Sequence, residues 1–238
     1  MAIETRVIAY EAPGGVFEGV MAVDTSIGGA RPGILIAPNF MGQDDFDIGK
    51  AMRLAELGYF AFAIDMYGKG RRGTDRESAG ALMMEVQADR RVLQARIGAA
   101  LALLKAQPEV DPAKTGAIGF CFGGKCVLDL ARSGADVGGV VSFHGVYDPP
   151  PFANAPIRAK LLVCHGWDDP LCPPDATVGL AQELTASGAD WQIHAYGSTG
   201  HAFTAPGANM PEAGMFYKES ADRRSWKAMT DFFAEVFG

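Results

Sequence analysis

The sequence predicts a single α/β domain with a mostly parallel central sheet, and three features indicate this class. Short runs rich in β-branched or aromatic residues alternate with longer helical patterns along the chain. The middle runs are apolar without alternation, which is typical of parallel strands covered by helices on both faces. No internal repeat, low-complexity tract or linker-like shift in composition interrupts the 238 residues. We therefore expect one domain over residues 1–238.

About eight strands are predicted, and the first two form an opening antiparallel hairpin. Apolar and β-branched residues are concentrated in each of them. The predicted strands are Thr5–Tyr10, Val16–Thr25, Gly33–Pro38, Tyr59–Asp65, Thr115–Phe120, Gly139–Phe143, Lys160–His165 and Trp191–Tyr196.

Helical periodicity predicts the segments between and after these strands. The predicted helices are Phe46–Leu57, Asp75–Gln107, Lys125–Arg132, Pro174–Ser187 and Lys218–Val236. The connection Gly145–Ala159, which contains the prolines Pro149 to Pro151, is too short to carry a large lid between its two strands. We therefore expect an open site and a small substrate.

Charge and composition exclude several classes of partner. With 28 acidic and 21 basic residues the net charge is −7, and no Lys/Arg run exceeds a pair. Nucleic acid and anionic membranes are therefore not expected as partners. The helical patterns are too short and polar to span a bilayer, and the N-terminal residues lack the basic and apolar regions of a secretory signal. We expect a cytoplasmic monomer with reduced cysteines that acts on a small molecule.

The segment Gly119–Gly124, GFCFGG, carries the first catalytic signature. It follows a predicted strand and precedes a predicted helix, and its G-x-C-x-G pattern is a nucleophile elbow with cysteine in place of serine. The sharp turn presents the thiol of Cys121 to solvent beside the N-terminus of the helix. A small buried core cysteine is the alternative interpretation.

A nucleophile of this kind needs an acid and a histidine, in that order, on loops that follow later strands. Asp168 and Asp169 follow the strand KLLVCH, and His201 lies in a glycine-flanked loop after the next strand. The residues alone leave either aspartate as the acid. Together they indicate acyl transfer through a thioester.

The other three histidines fit the role of base less well. His194 lies inside a strand and is expected to be structural. His165 closes a strand just before the acid loop, where it would support the turn. His144 follows GVVSF, where its side chain could face the cleft and contact substrate, but it comes too early in the chain order.

The elbow GFCFGGK, the loop HGWDDPLCPP and the loop YGSTGHAF together resemble the dienelactone hydrolase family of α/β-hydrolases, with matching element order from about Val7 to the C-terminus. The resemblance implies an α/β-hydrolase fold without a large lid. It also implies hydrolysis of cyclic enol-lactones and related small esters without metal or organic cofactor. It places the nucleophile at Cys121 and the base at His201. The family acid lies four residues before a proline, which selects Asp169 because of Pro173.

The resemblance also implies roles for residues around the triad. The oxyanion-hole amides correspond to Phe122 and Phe40. Asn39 stands where well-known members carry a glutamate that keeps the resting thiol protonated. Of two arginines that bind the substrate carboxylate, one corresponds to Ala205, and Lys69 is the cation nearest the expected place of the other. We expect Asn39, Lys69 and His144 to contact substrate, and a substrate that need not be dienelactone itself.

Three competing interpretations remain open. Gly119, Gly124 and Lys125 nearly form a phosphate-binding P-loop, but Cys126 stands where a serine or threonine would hold Mg²⁺. A metal site built from the four cysteines and His165 would lack the usual zinc spacing. In the third interpretation, the chain is a non-catalytic α/β scaffold that retains the motifs as packing.

Overall fold

A computed structural model describes residues 2–238; Met1, included in the predicted domain and N-terminal segment, lies outside them. The described chain forms an α/β fold with an eight-stranded sheet of order β1-β2-β4-β3-β5-β6-β7-β8. The strands are β1 (Ile3–Ala12), β2 (Gly15–Asp24), β3 (Arg31–Ala37), β4 (Phe60–Ala63), β5 (Val110–Phe120), β6 (Gly139–Phe143), β7 (Lys160–Gly166) and β8 (Trp191–Tyr196). The predicted fold class is confirmed.

Six α-helices occur within the described residues. They are α1 (Asp45–Glu56), α2 (Arg76–Gln87), α3 (Arg90–Lys105), α4 (Phe122–Arg132), α5 (Pro174–Ala186) and α6 (Glu219–Phe237). No helix in residues 2–238 combines the length and the apolar character that a bilayer crossing requires.

The chain divides into two compact units, one ending at Ile118 and the other starting at Gly119. In the first unit, β1 and β2 form the expected antiparallel hairpin, with Ile3 opposite Asp24 and Ala12 opposite Gly15. β2 pairs antiparallel with β4, and β4 pairs parallel with β3. The apolar residues of β3 and β4 are fully buried, as their continuous hydrophobic runs predict.

In the second unit, β6, β7 and β8 are parallel neighbours. Helix α4 packs on β6, α6 packs on β6 and β7, and α5 packs on β8. Trp226, Met229 and Phe233 of α6 are buried, which agrees with the single apolar face that their spacing predicts. The connection from β6 to β7 contains no helix or strand.

Two elements begin earlier than predicted, β5 at Val110 instead of Thr115 and α4 at Phe122 instead of Lys125. Two larger differences concern the number of elements. The helix expected over Asp75–Gln107 is two helices, because Asp89 adopts an extended backbone and caps α3 by accepting hydrogen bonds from the amides of Arg91 and Val92. An additional small hairpin, β9 (Asn209–Met210) and β10 (Met215–Phe216), follows the histidine loop and encloses one 3-10 turn. Its strands are too short to produce a periodic pattern.

Candidate active site

Cys121 lies in the sharp turn between β5 and α4. Its backbone has φ 55° and ψ −114°, a strained conformation for a residue with a side chain. The turn is tight enough that a Cβ at Gly119 would lie 2.0 Å from the carbonyl oxygen of Gly123, so glycine is required there. This explains the first glycine of the G-x-C-x-G pattern. The thiol is partly exposed, whereas Cys126, Cys164 and Cys172 are buried.

Asp169 and His201 form a buried hydrogen-bonded pair. Asp169 Oδ2 lies 2.8 Å from His201 Nδ1, and Asp169 Oδ1 accepts a 2.8 Å hydrogen bond from the amide of Leu171. Asp169 and His201 are 1% and 3% exposed, whereas Asp168 is exposed. A buried carboxylate with both oxygens bonded is well held, and it fixes the orientation of the imidazole.

The Cys121 side chain is close enough to this imidazole to affect its charge. Nε2 of His201 is buried and makes no hydrogen bond of ordinary geometry within residues 2–238. Burial alone lowers the pKa of His201. The negative charge of a Cys121 thiolate and the hydrogen bond to Asp169 outweigh it and raise that pKa to about 10. The ring is therefore positioned to hold a proton beside Cys121.

The histidine loop is held from both sides by backbone contacts. The amide of His201 donates to Gly214 O at 2.7 Å, and the amide of Phe216 donates to His201 O at 3.0 Å. On the other side, the amide of Asp168 donates to Thr199 O at 2.9 Å, which joins the acid loop to the histidine loop. The small β9–β10 hairpin is thus part of the support of His201, a role that no sequence signal indicated.

His144, His165 and His194 occupy three different environments. His194 bonds to Gln192 within β8. His165 is fully buried between Tyr147 Oη and Thr177 Oγ1, each 3.1 Å from a ring nitrogen, and burial lowers its pKa. His144 is 2% exposed and bonds to both the elbow and the histidine loop. That His144 contacts substrate stays a prediction.

The loop after β3 carries Asn39 and Phe40 and is described within its own unit. Asn39 Oδ1 accepts a 2.8 Å hydrogen bond from the amide of Met41, which closes a local turn. Tyr67 Oη donates to Phe40 O at 2.8 Å. Both bonds fix the backbone of this loop. The roles predicted for Asn39 and the Phe40 amide are untested by these contacts and stay predictions.

Lys69 lies in the loop after β4, as the sequence predicts, and is not a free cation. Its ammonium is 2.7 Å from Glu18 Oε2, and its side chain is 56% exposed. A substrate carboxylate would have to compete with Glu18. Ala205, which replaces the second cation of the resembled family, has its amide bonded to Ala202 O at 3.0 Å.

The contacts of the side chains involved bear on two of the competing interpretations, the P-loop and the metal site. Lys125 is buried and its ammonium pairs with Asp148 at 2.8 Å, an arrangement unlike that of a lysine that holds a nucleotide phosphate. Within residues 2–238, no group of three or more His, Cys, Asp or Glu side chains could hold a metal ion.

Comparison with known proteins gives the family of the chain. A model of the dienelactone hydrolase family matches residues 17–237. A Methylorubrum extorquens protein assigned as a carboxymethylenebutenolidase is 26% identical over 220 residues, which cover 87% of this chain and 73% of that protein.

Two solved structures align with this chain over the full length of both proteins. The structure named m3DLH is 40% identical with a TM-score of 0.94. The dienelactone hydrolase-like promiscuous phosphotriesterase P91, from metagenomic libraries, is 38% identical with a TM-score of 0.95. With the family match over nearly all residues, these similarities show that the chain is a hydrolase that belongs to the dienelactone hydrolase family.

Proposed function

We propose that this protein hydrolyses small carboxylic esters or lactones through a thioester on Cys121, with His201 as the base and Asp169 as the orienting acid. The observation that carries the proposal is the buried 2.8 Å contact between Asp169 and His201, an imidazole whose charge Cys121 also influences. The family match and the carboxymethylenebutenolidase named among its relatives support the substrate class.

The reaction has two halves. With the proton of the Cys121 thiol held on His201 Nε2, the sulfur attacks the acyl carbon and the carbonyl oxygen becomes an oxyanion. When the carbon–oxygen bond breaks, His201 gives that proton to the leaving alkoxide and a thioester remains. Water then attacks the thioester, His201 takes its proton and the carbon–sulfur bond breaks, so the carboxylic acid leaves and the resting pair of Cys121 and His201 is regenerated. Asp169 keeps Nδ1 protonated throughout.

The groups around this triad have proposed roles of their own. The amides of Phe122 and Phe40 would donate to the oxyanion, as the family resemblance implies. Asn39 would lie beside the substrate, and Lys69 would favour an anionic group on it. A lactone would give one ring-opened product, whereas an open ester would release an alcohol.

A substrate panel tests the proposal. Aryl esters, lactones and thioesters are assayed with the wild type, with Cys121→Ala and with Cys126→Ala, which removes a buried thiol one helical turn away. We expect turnover in the wild type and in Cys126→Ala, and loss to background in Cys121→Ala. Full activity without the Cys121 thiol would contradict the mechanism.

Phosphotriester hydrolysis is a second candidate activity, favoured by the 38% identity to P91 over the whole chain. Here the sulfur of Cys121 would attack phosphorus, an aryl oxide would leave, and water would displace the sulfur. A paraoxon-like aryl phosphotriester belongs in the same panel. Release of the aryl oxide that depends on Cys121 would support this activity, and its absence would exclude it.

A further inference from the structure

His144 adopts an unusual backbone conformation directly after β6. Its φ is 38°, in the left-handed region that side chains rarely enter, and its amide donates to Cys164 O of β7 at 2.9 Å. Within residues 2–238, the other non-glycine residues with positive φ are Cys121, Ser198 and Ala202. All four therefore lie in the elbow, beside it or in the histidine loop. Such strain persists where surrounding contacts hold it, and it is concentrated at functional sites.

The imidazole of His144 forms one hydrogen bond with each of two catalytic segments. Its Nδ1 lies 3.2 Å from the amide nitrogen of Cys121, and that amide also donates to Phe143 O at 3.0 Å. Its Nε2 lies 2.8 Å from Thr204 Oγ1. Since a backbone amide can only donate, Nδ1 is the acceptor. In the neutral ring Nε2 then carries the hydrogen and donates to Thr204.

The same ring packs against the catalytic histidine. The ring centroids of His144 and His201 are 5.0 Å apart with an interplanar angle of 68°, and Phe203 packs edge-on at 5.0 Å. Thr204 lies three residues after His201. His144 therefore contacts the backbone of the nucleophile, the ring of the base and the loop that carries the base.

We propose that His144 is a positioning residue that sets the geometry between the thiol of Cys121 and Nε2 of His201; this inference rests on the proposed function. Its ring bridges the elbow and the histidine loop, so a shift of either segment breaks a hydrogen bond. Because His144 is 2% exposed, we expect its effect to act through Cys121 and His201, and a change in KM would instead indicate the substrate contact predicted from the sequence. The neutral tautomer is the one that bridges, since a doubly protonated ring could not accept from Cys121.

Three variants separate the two hydrogen bonds. His144→Phe keeps an aromatic ring but removes both bonds. His144→Asn retains an acceptor oxygen near the place of Nδ1, and so preserves the bond to Cys121. Thr204→Val has nearly the shape of threonine and removes the bond to Nε2 from the opposite side. Each is assayed for kcat and KM on a small aryl ester, for the rate of iodoacetamide alkylation of Cys121 and for urea unfolding.

We expect His144→Phe to lower kcat by about 100-fold with KM changed by less than about threefold, because misplacement of a catalytic pair affects the chemical step. His144→Asn and Thr204→Val each lose one of the two hydrogen bonds and should each lower kcat by about three- to 10-fold. Alkylation should follow the same order as kcat. If His144 were only structural, kcat would instead follow the free energy of unfolding. The Asn and Phe variants would then have equal kcat whenever their stabilities were equal.

The proposal would be overturned by a His144→Phe enzyme with wild-type kcat, or by one whose KM alone rises, since the latter is the signature of substrate contact. If His144→Phe does not fold, the remaining two variants decide. Unchanged kcat and alkylation in both overturn the proposal, and the expected losses support it. Failure of the proposed function is recognised separately, because Cys121→Ala would then retain turnover whatever His144 does.

Discussion

Two adjacent aspartates show how the environment of a single residue assigns its chemistry. Asp169 is buried against His201 with both oxygens bonded, and Asp168 is exposed with only its backbone amide engaged in joining the two loops. Sequence order alone left either as the acid. Family resemblance favours Asp169, and the 2.8 Å contact to His201 agrees with that choice.

Replacing each aspartate by asparagine should therefore give very different enzymes. Asp169→Asn keeps the shape but favours the wrong imidazole tautomer, so kcat/KM for an aryl ester should fall by about 10³- to 10⁴-fold. Asp168→Asn, the matched control, should remain within about twofold, as expected for an exposed substitution. A larger loss in Asp168→Asn than in Asp169→Asn would show that the acid has been misassigned.

The charge state of His201 leads to a prediction about pH. A pKa raised to about 10 means that the ring keeps its proton at neutral pH and loses it only as the pH rises through that value. Alkylation of Cys121 by iodoacetamide at pH 6–7 should therefore be at least about 10-fold faster than in His201→Asn.

That advantage should shrink toward pH 10, where His201 loses its charge and a free cysteine, with an ordinary pKa of about 8.5, is ionised without help. His194→Asn, which alters a partly exposed histidine of β8, provides the control and should match the wild type. A rate ratio between wild type and His201→Asn that does not depend on pH would contradict the interpretation.

Lys69 and Glu18 should affect anionic substrates in opposite directions. A partly exposed cation contributes about 0.2–1 kcal/mol, so Lys69→Met should raise KM for a carboxylate-bearing ester by about fivefold or less. Glu18→Gln removes the competing carboxylate and should lower that KM. Neutral esters should respond to neither change. Equal effects on charged and neutral esters would indicate packing, not charge recognition.

At the scale of elements, most boundaries could be predicted because hydrophobic runs and caps are local signals. β6 and β8 have the predicted bounds, and the misjudged helix 75–107 was broken by a capping aspartate, Asp89, inside a continuous helical pattern. The β9–β10 hairpin could not be predicted, since two-residue strands carry no periodicity. Its contribution is to hold the loop of His201 through backbone bonds that any residue could form.

Two glycines of the histidine loop test how closely that loop must pack. A Cβ at Gly200 would lie 2.2 Å from Gly214 O, whereas a Cβ at Gly197 would meet no atom within 4 Å. Gly200→Ala should displace the loop, lowering kcat/KM by about 100-fold and stability by about 1–3 kcal/mol.

Gly197→Ala is the matched control and should be nearly neutral in both kcat/KM and urea unfolding. Equal behaviour of the two variants would mean that the hairpin does not hold the position of His201.

At the scale of the whole molecule, the order of nucleophile, acid and histidine along alternating strands and helices was the strongest predictor. This order reflects the topology of the fold, which determines the sequence spacing between the motifs. Cys121, Asp169 and His201 accordingly lie in the same compact unit. The bridging contacts of His144 were not predictable, because a positive φ and a bond to Thr204, sixty residues away, arise only from the folded chain.

The central claim is that Cys121 carries the acyl group, and the most direct test is the mass of the enzyme trapped during turnover. The protein is mixed with an excess of a slowly hydrolysed aryl ester, acid-quenched during the burst and digested. The account predicts one added acyl mass on the peptide containing Cys121, released by hydroxylamine and absent in Cys121→Ala. Steady turnover with no acyl group on Cys121, or an acyl group on another residue, would contradict it.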